Sequence, residues 1–269
     1  TGVQTCALPI SKYKIVFYFA AFVLGCIWGS FSNVCIYRLP NDQSVVKGRS
    51  FCTSCKEQIK WYDNIPFLSF IFLKGKCRNC GNKISSQYFL VEFISAISFI
   101  IVYHLYGISI TTLLLIILSI FFIIIFFIDL KHFIIPNELT FPLMLIGFVK
   151  SFEPNLNQTI FPNYINSLIG GVFGYLIIWL IIFFYKKVRN KEGMGLGDAK
   201  LMAVVGFWFG WASIPFTIFI SSFVALIFSI PSLIKKNKNM STQIPFGPYI
   251  IIGCIIYVSF ANQIKHMLL

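Results

Sequence analysis

Charge is what this sequence has least of. Charged residues fill 12% of its 269 positions, against about 25% in soluble domains, and only nine are Asp or Glu. With 57% hydrophobic residues and a mean hydropathy of +0.81, the chain carries more apolar surface than one globular core hides, which excludes a soluble protein. Histidine is limited to three copies. His104 and His266 lie away from any acid of interest and only His132 is near Asp129, so a Ser–His hydrolase has no supporting motif. No GxGxxG fingerprint occurs, so no cofactor pocket of that kind can be read from the chain. Internal repeats and low-complexity linkers are also missing.

The start lacks a Met and the charged n-region of a signal peptide. Thr1–Ile10 (TGVQTCALPI) reads like a translated sequencing-library adapter. Residues 1–10, with Cys6, are therefore expected to be non-native.

What is abundant is apolar sequence in runs suited to a bilayer, which asks for about 20 residues per helix. The runs are Ile15–Tyr37, Tyr88–Tyr106, Ile110–Ile128, Leu139–Phe152, Tyr164–Tyr185, Ala199–Ala212, Ile214–Ile234 and Tyr249–Met267. The expected fold is an all-α polytopic membrane protein of about eight transmembrane helices. A polar stretch, residues 38–87, separates a first transmembrane helix within residues 11–37 from a membrane domain over residues 88–269.

The net charge of +13 reads first as topology, because Lys and Arg gather in cytoplasmic loops. With residues 38–87 cytoplasmic and eight crossings, only Lys12, Lys14, Lys150 and Lys265 of the 22 Lys and Arg fall outside. Removing the short fourth crossing would put Lys186, Lys187, Arg189 and Lys191 on the opposite side from the first loop. Gly25/Gly29, Gly170/Gly174 and Gly206/Gly210 repeat at four-residue spacing, a pattern that lets helices approach closely in lipid.

Two groups of residues carry chemistry. Cys52-x-x-Cys55 is followed, after 21 residues, by Cys77-x-x-Cys80. Two such knuckles bring four thiolates to one Zn²⁺, and Gly75 and Gly81 flank the second knuckle where tight turns are needed. Disulfides are the alternative, disfavoured by a cytoplasmic placement. Four thiolates close the coordination shell, so the expected zinc is structural in a small ribbon-like insertion. Cys26, Cys35 and Cys254 sit in apolar segments as small hydrophobes.

The second group is Asp129, after FFIIIFFI, and Asp198, after Gly193-Met194-Gly195-Leu196-Gly197. A charge in such surroundings costs about 2.5–3.5 kcal/mol on insertion scales, so a partner or a function is expected. Two carboxylates sharing a partly desolvated site cannot both ionise. One then acts as acid while the other, as base, activates water for peptide hydrolysis. The alternating glycines would let another backbone pass close to Asp198. The competing reading of Asp198 is a helix N-cap.

Gly195-Leu196-Gly197-Asp198, continuing Ala199-Lys200-Leu201, resembles the GxGD signature of intramembrane-type aspartic proteases. Asp129 with Ile135-Pro136-Asn137 resembles the first catalytic motif of type IV prepilin leader peptidases. Gly29-Ser30-Phe31-Ser32-Asn33, Tyr37-Arg38-Leu39-Pro40, Asp63-Asn64-Ile65-Pro66 and Pro245-Phe246-Gly247-Pro248 are similar to further motifs of that family. The resemblance implies a bifunctional enzyme of the bacterial inner membrane. It would cleave the basic leader of prepilins and pseudopilins after a glycine on the cytoplasmic face, with Asp129 and Asp198 as the pair. It would then methylate the new N-terminus from S-adenosylmethionine. The resemblance also links the cysteine loop to methyl transfer and gives Gly75, before the third cysteine, a part in it.

Partners implied are the prepilins and the lipid bilayer, with no nucleic acid. Nine basic residues against Asp42, Glu57 and Asp63 in the loop would repel a cationic leader, so that charge is read as topology and contact with anionic lipid. An ion-coupled transporter using Asp129 and Asp198 is the alternative function, and it predicts inverted repeats that are not seen. A membrane-anchored zinc module for nucleic acid would leave both aspartate motifs unexplained.

Overall fold

A computed structural model describes residues 8–156, 160–190, 193–234, 244–261 and 263. Most of the adapter-like segment, Lys191, Lys235, Lys236, Lys238, Lys265 and the end of the last apolar run lie outside the described residues. Apart from two isolated β-bridges in the cysteine loop, the regular structure among the described residues is helical. The chain divides into two compact units, Thr1–Ile124 and Ile125–Leu269.

In the first unit, α1 (Leu8–Arg38) packs along α3 (Ser86–Tyr106). The small residues at Gly25 and Gly29 make this possible. A Cβ at either would lie 2.6 Å from a backbone Cα of α3, that of Ala96 or Glu92. Ser85 caps α3 by accepting the Gln87 N–H, and Gly107, at φ +60°, ends it. Between the two helices runs the polar segment, with one short helix, α2 (Leu68–Phe72). Arg38 anchors its start. The buried guanidinium donates to the carbonyls of Ser44, Lys47, Gly48 and Arg49, which gathers that loop under the end of α1.

The division falls inside α4 (Ile110–His132), whose last two turns belong to the second unit. That unit continues with α5 (Asn137–Val149), α6 (Tyr164–Arg189), α7 (Leu196–Phe209), α8 (Ser213–Ile234) and α9 (Gly247–Ser259). Its centre is α7, where Leu201, Met202, Val204, Val205 and Trp208 are fully buried. Against it lies α6, at a crossing so close that a Cβ on Gly206 would collide with the Gly170 carbonyl. Packing is therefore the role these glycines have.

Helices α5 and α7 are tied at both ends. Near the start, Lys200 Nζ donates to Asn137 Oδ1 at 2.6 Å. At the other end, Trp208 Nε1 donates to the Leu143 carbonyl at 2.8 Å. There too the buried Lys150 donates to the Trp208 carbonyl at 3.0 Å, its ammonium 4.1 Å from the centre of the Phe161 ring.

Each of the eight apolar runs contains a helix, yet only α1, α3, α4 and α6 are long and apolar enough to cross a membrane among the described residues. At 1.5 Å per residue, the 13 residues of α5 and 14 of α7 reach about 20 Å, short of a hydrocarbon core of about 30 Å. Four candidate spans stand where about eight were expected.

Candidate active site and metal centre

The cysteine loop builds its centre from two copies of one turn. In the first, Cys52 N–H donates to the Glu57 carbonyl at 2.9 Å and Lys56 N–H to the Cys52 carbonyl at 2.9 Å. In the second, Cys77 N–H donates to Asn82 and Gly81 N–H to Cys77, at 2.9 and 3.0 Å. Each turn needs a left-handed residue after its second cysteine. Gly81 takes φ +70° without penalty, whereas Lys56 is held at +62°. Bridges Phe51–Gln58 and Lys76–Lys83 close the bases of the two turns.

These turns bring the sulfurs of Cys52, Cys55, Cys77 and Cys80 within 4.8 Å of one another, with Cys52 and Cys80 3.9 Å apart. A zinc ion at 2.3 Å from each sulfur requires edges of about 3.8 Å, so the four residues fit a tetrahedral Zn²⁺. The thiols are not joined as disulfides. Backbone N–H groups, first that of Cys55 and then that of Ser54, hold the Cys52 thiol down to about 6, which favours a thiolate ligand. Beside the second knuckle, Arg78 makes a bidentate pair with Asp63, Nε and Nη2 donating at 2.8 and 2.7 Å. That pair holds the Asp63 carboxyl below its ordinary value and the guanidinium above its own. It also gives the Asp63-Asn64-Ile65-Pro66 motif a physical role.

Gly75 is buried at φ +64°, and a Cβ there would press 3.1 Å from Cζ of Phe70. It turns the chain into the second knuckle and backs the Phe70 ring.

The two aspartates lie in the second unit. Asp129 sits in the last turn of α4, 4% exposed, and accepts the Gly247 N–H at 3.0 Å on Oδ2. The helix stops three residues later, where Phe133 turns left-handed at φ +57° and donates its N–H to the Asp129 carbonyl. Asp198 lies in the first turn of α7, 7% exposed. The N-cap position is Gly195, so the N-cap reading of Asp198 gives way. Asp198 sits three residues further on, and its carboxylate has the Gly195 backbone amide as a partner.

The Asp129 carboxylate acts electrostatically on Asp198, and Ile135 links the two motifs. Gly197, beside Asp198, packs on Ile135, where a Cβ would lie 2.9 Å from Ile135 Cβ. Gly247 faces both Asp129 Oδ2 and Ile135 Cδ1, at 2.7 and 3.1 Å from the position its Cβ would take. The loop before α9, the IPN connector and the GxGD turn thus converge on one place.

The three alternating glycines differ. Gly193 is filled by the Tyr185 ring and Gly197 by Ile135. Only Gly195 has room, with nothing closer than 3.8 Å to its missing Cβ and Asp198 Oδ2 at 3.9 Å. Space for another backbone beside the carboxylate exists at that one position.

Two buried carboxylates at facing helix ends of an apolar helical chain can divide acid and base roles, the chemistry of an aspartic peptidase held in a membrane. Comparison with known proteins agrees. Residues 23–106 match the bacterial peptidase A24 N-terminal domain, and residues 116–230 match the type IV leader peptidase family. The chain belongs to the type IV leader peptidase family. It is 31% identical to a prepilin leader peptidase/N-methyltransferase of Pseudomonas aeruginosa, across 95% of this chain and 94% of that one. Proteins of the same name from Aeromonas salmonicida and Neisseria gonorrhoeae are 32% and 34% identical, with coverage of 96% and 94%, and of 89% and 89%. No solved structure matches. The ion-coupled transporter finds no support in these matches.

Arg38, Asn137 and Gly247 stand in motifs that the sequence singles out, but their roles come from their partners. These are loop carbonyls 6 to 11 residues on for Arg38, and the remote Lys200 and Asp129 for the other two. Glu92, one turn into an apolar helix, looks incidental in the sequence.

Proposed function

We propose that this chain cleaves the basic leader of type IV prepilins and pseudopilins at the cytoplasmic face of the bacterial inner membrane, then N-methylates the new N-terminus. The observation that carries the reading is the convergence of Asp129, Asp198 and Gly247 in a chain related over nearly its whole length to prepilin leader peptidase/N-methyltransferases. Asp129 and Asp198 are the catalytic pair. One carboxylate takes a proton from water as its oxygen attacks the scissile carbonyl. The protonated partner gives its proton to the departing amine, so two protons change places and none is lost. Gly247 N–H holds Asp129 in position, and the space at Gly195 admits the substrate backbone beside Asp198. Helices α5, α7, α8 and α9 complete eight crossings with the four longer ones, in keeping with the positive-inside count. Cys52, Cys55, Cys77 and Cys80 hold a structural Zn²⁺.

For the second activity, S-adenosylmethionine supplies an electrophilic methyl group. The chain's part is to hold the new N-terminal amine, whose pKa of about 7.7–8.0 leaves a usable neutral fraction near pH 7. Gly75 serves this activity by letting Phe70 pack where a side chain would displace it.

The test is Asp129→Asn and Asp198→Asn in the full-length protein with an intact prepilin. Each is expected to abolish cleavage while the protein stays folded, and the double variant is expected to be no worse than either single one, since the pair acts as a unit. Clear residual turnover in either would overturn the assignment. Pre-cleaved pilin should still be methylated by both variants.

A further inference from the structure

The first unit holds a cavity of about 340 Å³ bounded by α1, α3 and the cysteine loop. That is within the range of small-molecule sites, about 300–1,000 Å³. Three features meet on its wall, two of them joined by one hydrogen bond.

The first is Glu92. The residue is 7% exposed, and its carboxylate accepts the Phe67 N–H on Oε2 at 3.0 Å and has the Ser30 hydroxyl as a second partner, yet no Lys, Arg or His pairs with it among the described residues. A buried carboxylate without a counter-ion is costly. Arg38, Lys60, Arg78 and Lys83 line the same cavity, yet none of them pairs with Glu92.

The second is Asn33, 4% exposed. Its amide nitrogen donates to the carbonyls of Gly29 and Tyr88 at 3.3 and 3.0 Å. Both partners are acceptors, so the amide can be oriented only one way. Oδ1 is left buried with no hydrogen-bond partner among the described residues.

The third is Phe67 itself. The residue that donates to Glu92 is held at φ +62°, ψ −56°, a conformation costly for a residue with a side chain. Strain of this kind persists where the surroundings enforce it. Here it aims an N–H at the carboxylate and packs the Phe67 ring 4.9 Å from that of Phe89, on the same wall.

A ligand that answers all three features brings positive charge for Glu92, a hydrogen-bond donor for Asn33 Oδ1, and a flat ring for the aromatic wall of Phe67, Phe89 and Tyr88. S-adenosylmethionine has a sulfonium and an ammonium, an adenine and ribose hydroxyls. We infer that this cavity is the S-adenosylmethionine site, with Glu92 facing the cationic end and Asn33 Oδ1 accepting a hydrogen bond from the ligand. The inference rests on the methyltransferase reading above. It explains the placement of Gly75, which does not line the cavity but backs Phe70, which does.

The experiment is equilibrium binding of S-adenosylmethionine and of S-adenosylhomocysteine, which lacks the sulfonium charge, to the full-length zinc-loaded protein. Glu92→Gln should weaken S-adenosylmethionine about tenfold or more and S-adenosylhomocysteine less. Asn33→Ala should weaken both. Zinc content and unfolding temperature check that each variant is folded. As a measurement that needs no variant, photo-crosslinked labelled S-adenosylmethionine should map to residues 30–37, 63–70 or 85–92. Wild-type affinity in both variants, or a label mapped elsewhere, overturns the site while leaving the methyltransferase reading intact. A wild-type protein that binds neither compound and leaves mature pilin unmethylated overturns that reading instead, and the site with it.

Discussion

Gly247→Ala isolates the positioning of Asp129. The glycine is not in a left-handed conformation, so alanine costs nothing in backbone strain, and as the first residue of α9 it tolerates a methyl group conformationally. The whole penalty is the new Cβ, which would lie 2.7 Å from Asp129 Oδ2. Ordinary contact begins at 3.4 Å, so the carboxylate must move by about 0.7 Å or the N–H···Oδ2 bond of 3.0 Å must open. Ile135 Cδ1, 3.1 Å from the same Cβ, blocks one way of yielding. A displacement near 1 Å at a catalytic group costs about 100-fold, and a hydrogen bond to a charged group is worth about 1.5–3 kcal/mol. The expected fall in kcat for prepilin cleavage is therefore about 10- to 100-fold, with KM little changed. The assay is a time course of leader removal by purified protein in detergent, beside a thermal unfolding curve. A kcat within twofold of wild type in a folded protein would refute the reasoning.

Gly195→Ala should keep the fold, because its Cβ meets nothing within 3.8 Å, and should raise KM for prepilin by occupying the space beside Asp198; an unchanged KM would place the substrate backbone elsewhere. Metal analysis of reductively purified protein should find one Zn²⁺ per chain, lost in Cys52→Ser or Cys80→Ser, and four freely alkylated thiols without zinc would contradict the centre. Lys56→Gly should relieve the left-handed strain of the first knuckle by about 1 kcal/mol, offset partly by loss of the Lys56–Phe51 contact, and raise the chelator concentration needed to strip the metal. A bulky residue at Gly75 should depress methylation more than cleavage, read by mass spectrometry of the mature N-terminus, because it displaces Phe70 in the first unit while both aspartates lie in the second.

The features legible in the sequence are those whose signal is local. Apolar runs mark the helices because their length and composition are read along one segment. The cysteines announce themselves by spacing, and Asp129 and Asp198 by the contrast of a carboxylate with its neighbours. What escaped the sequence depends on partners brought together by folding. The amide of Gly247 is 118 residues from Asp129 and the Trp208 carbonyl 58 from Lys150, while the four carbonyls under Arg38 lie 6 to 11 residues on in an irregular loop, and no periodicity encodes any of them. Glu92 shows the limit most clearly. Its burial arises because Gly29 draws α1 against α3, a fact about two helices and not about either one. Helix length is hidden for a different reason: hydropathy marks apolar segments, but the length of α5 and α7 is set by Pro136, Gly195 and Gly210 at their ends.

The double tie between α5 and α7 constrains how this protein can move. Sliding α7 along its axis by one residue, 1.5 Å, would break the Lys200–Asn137, Trp208–Leu143 and Lys150–Trp208 hydrogen bonds together. The last of these would strand an ammonium among aromatic rings. Piston-like travel of the helix bearing Asp198 is thus closed off. Any movement of α7 must therefore carry α5 with it and, through the close Gly170–Gly206 crossing, α6 as well. Asp198 thus belongs to a block of three helices, and the connector Phe133–Pro136 joins that block to the helix that bears Asp129.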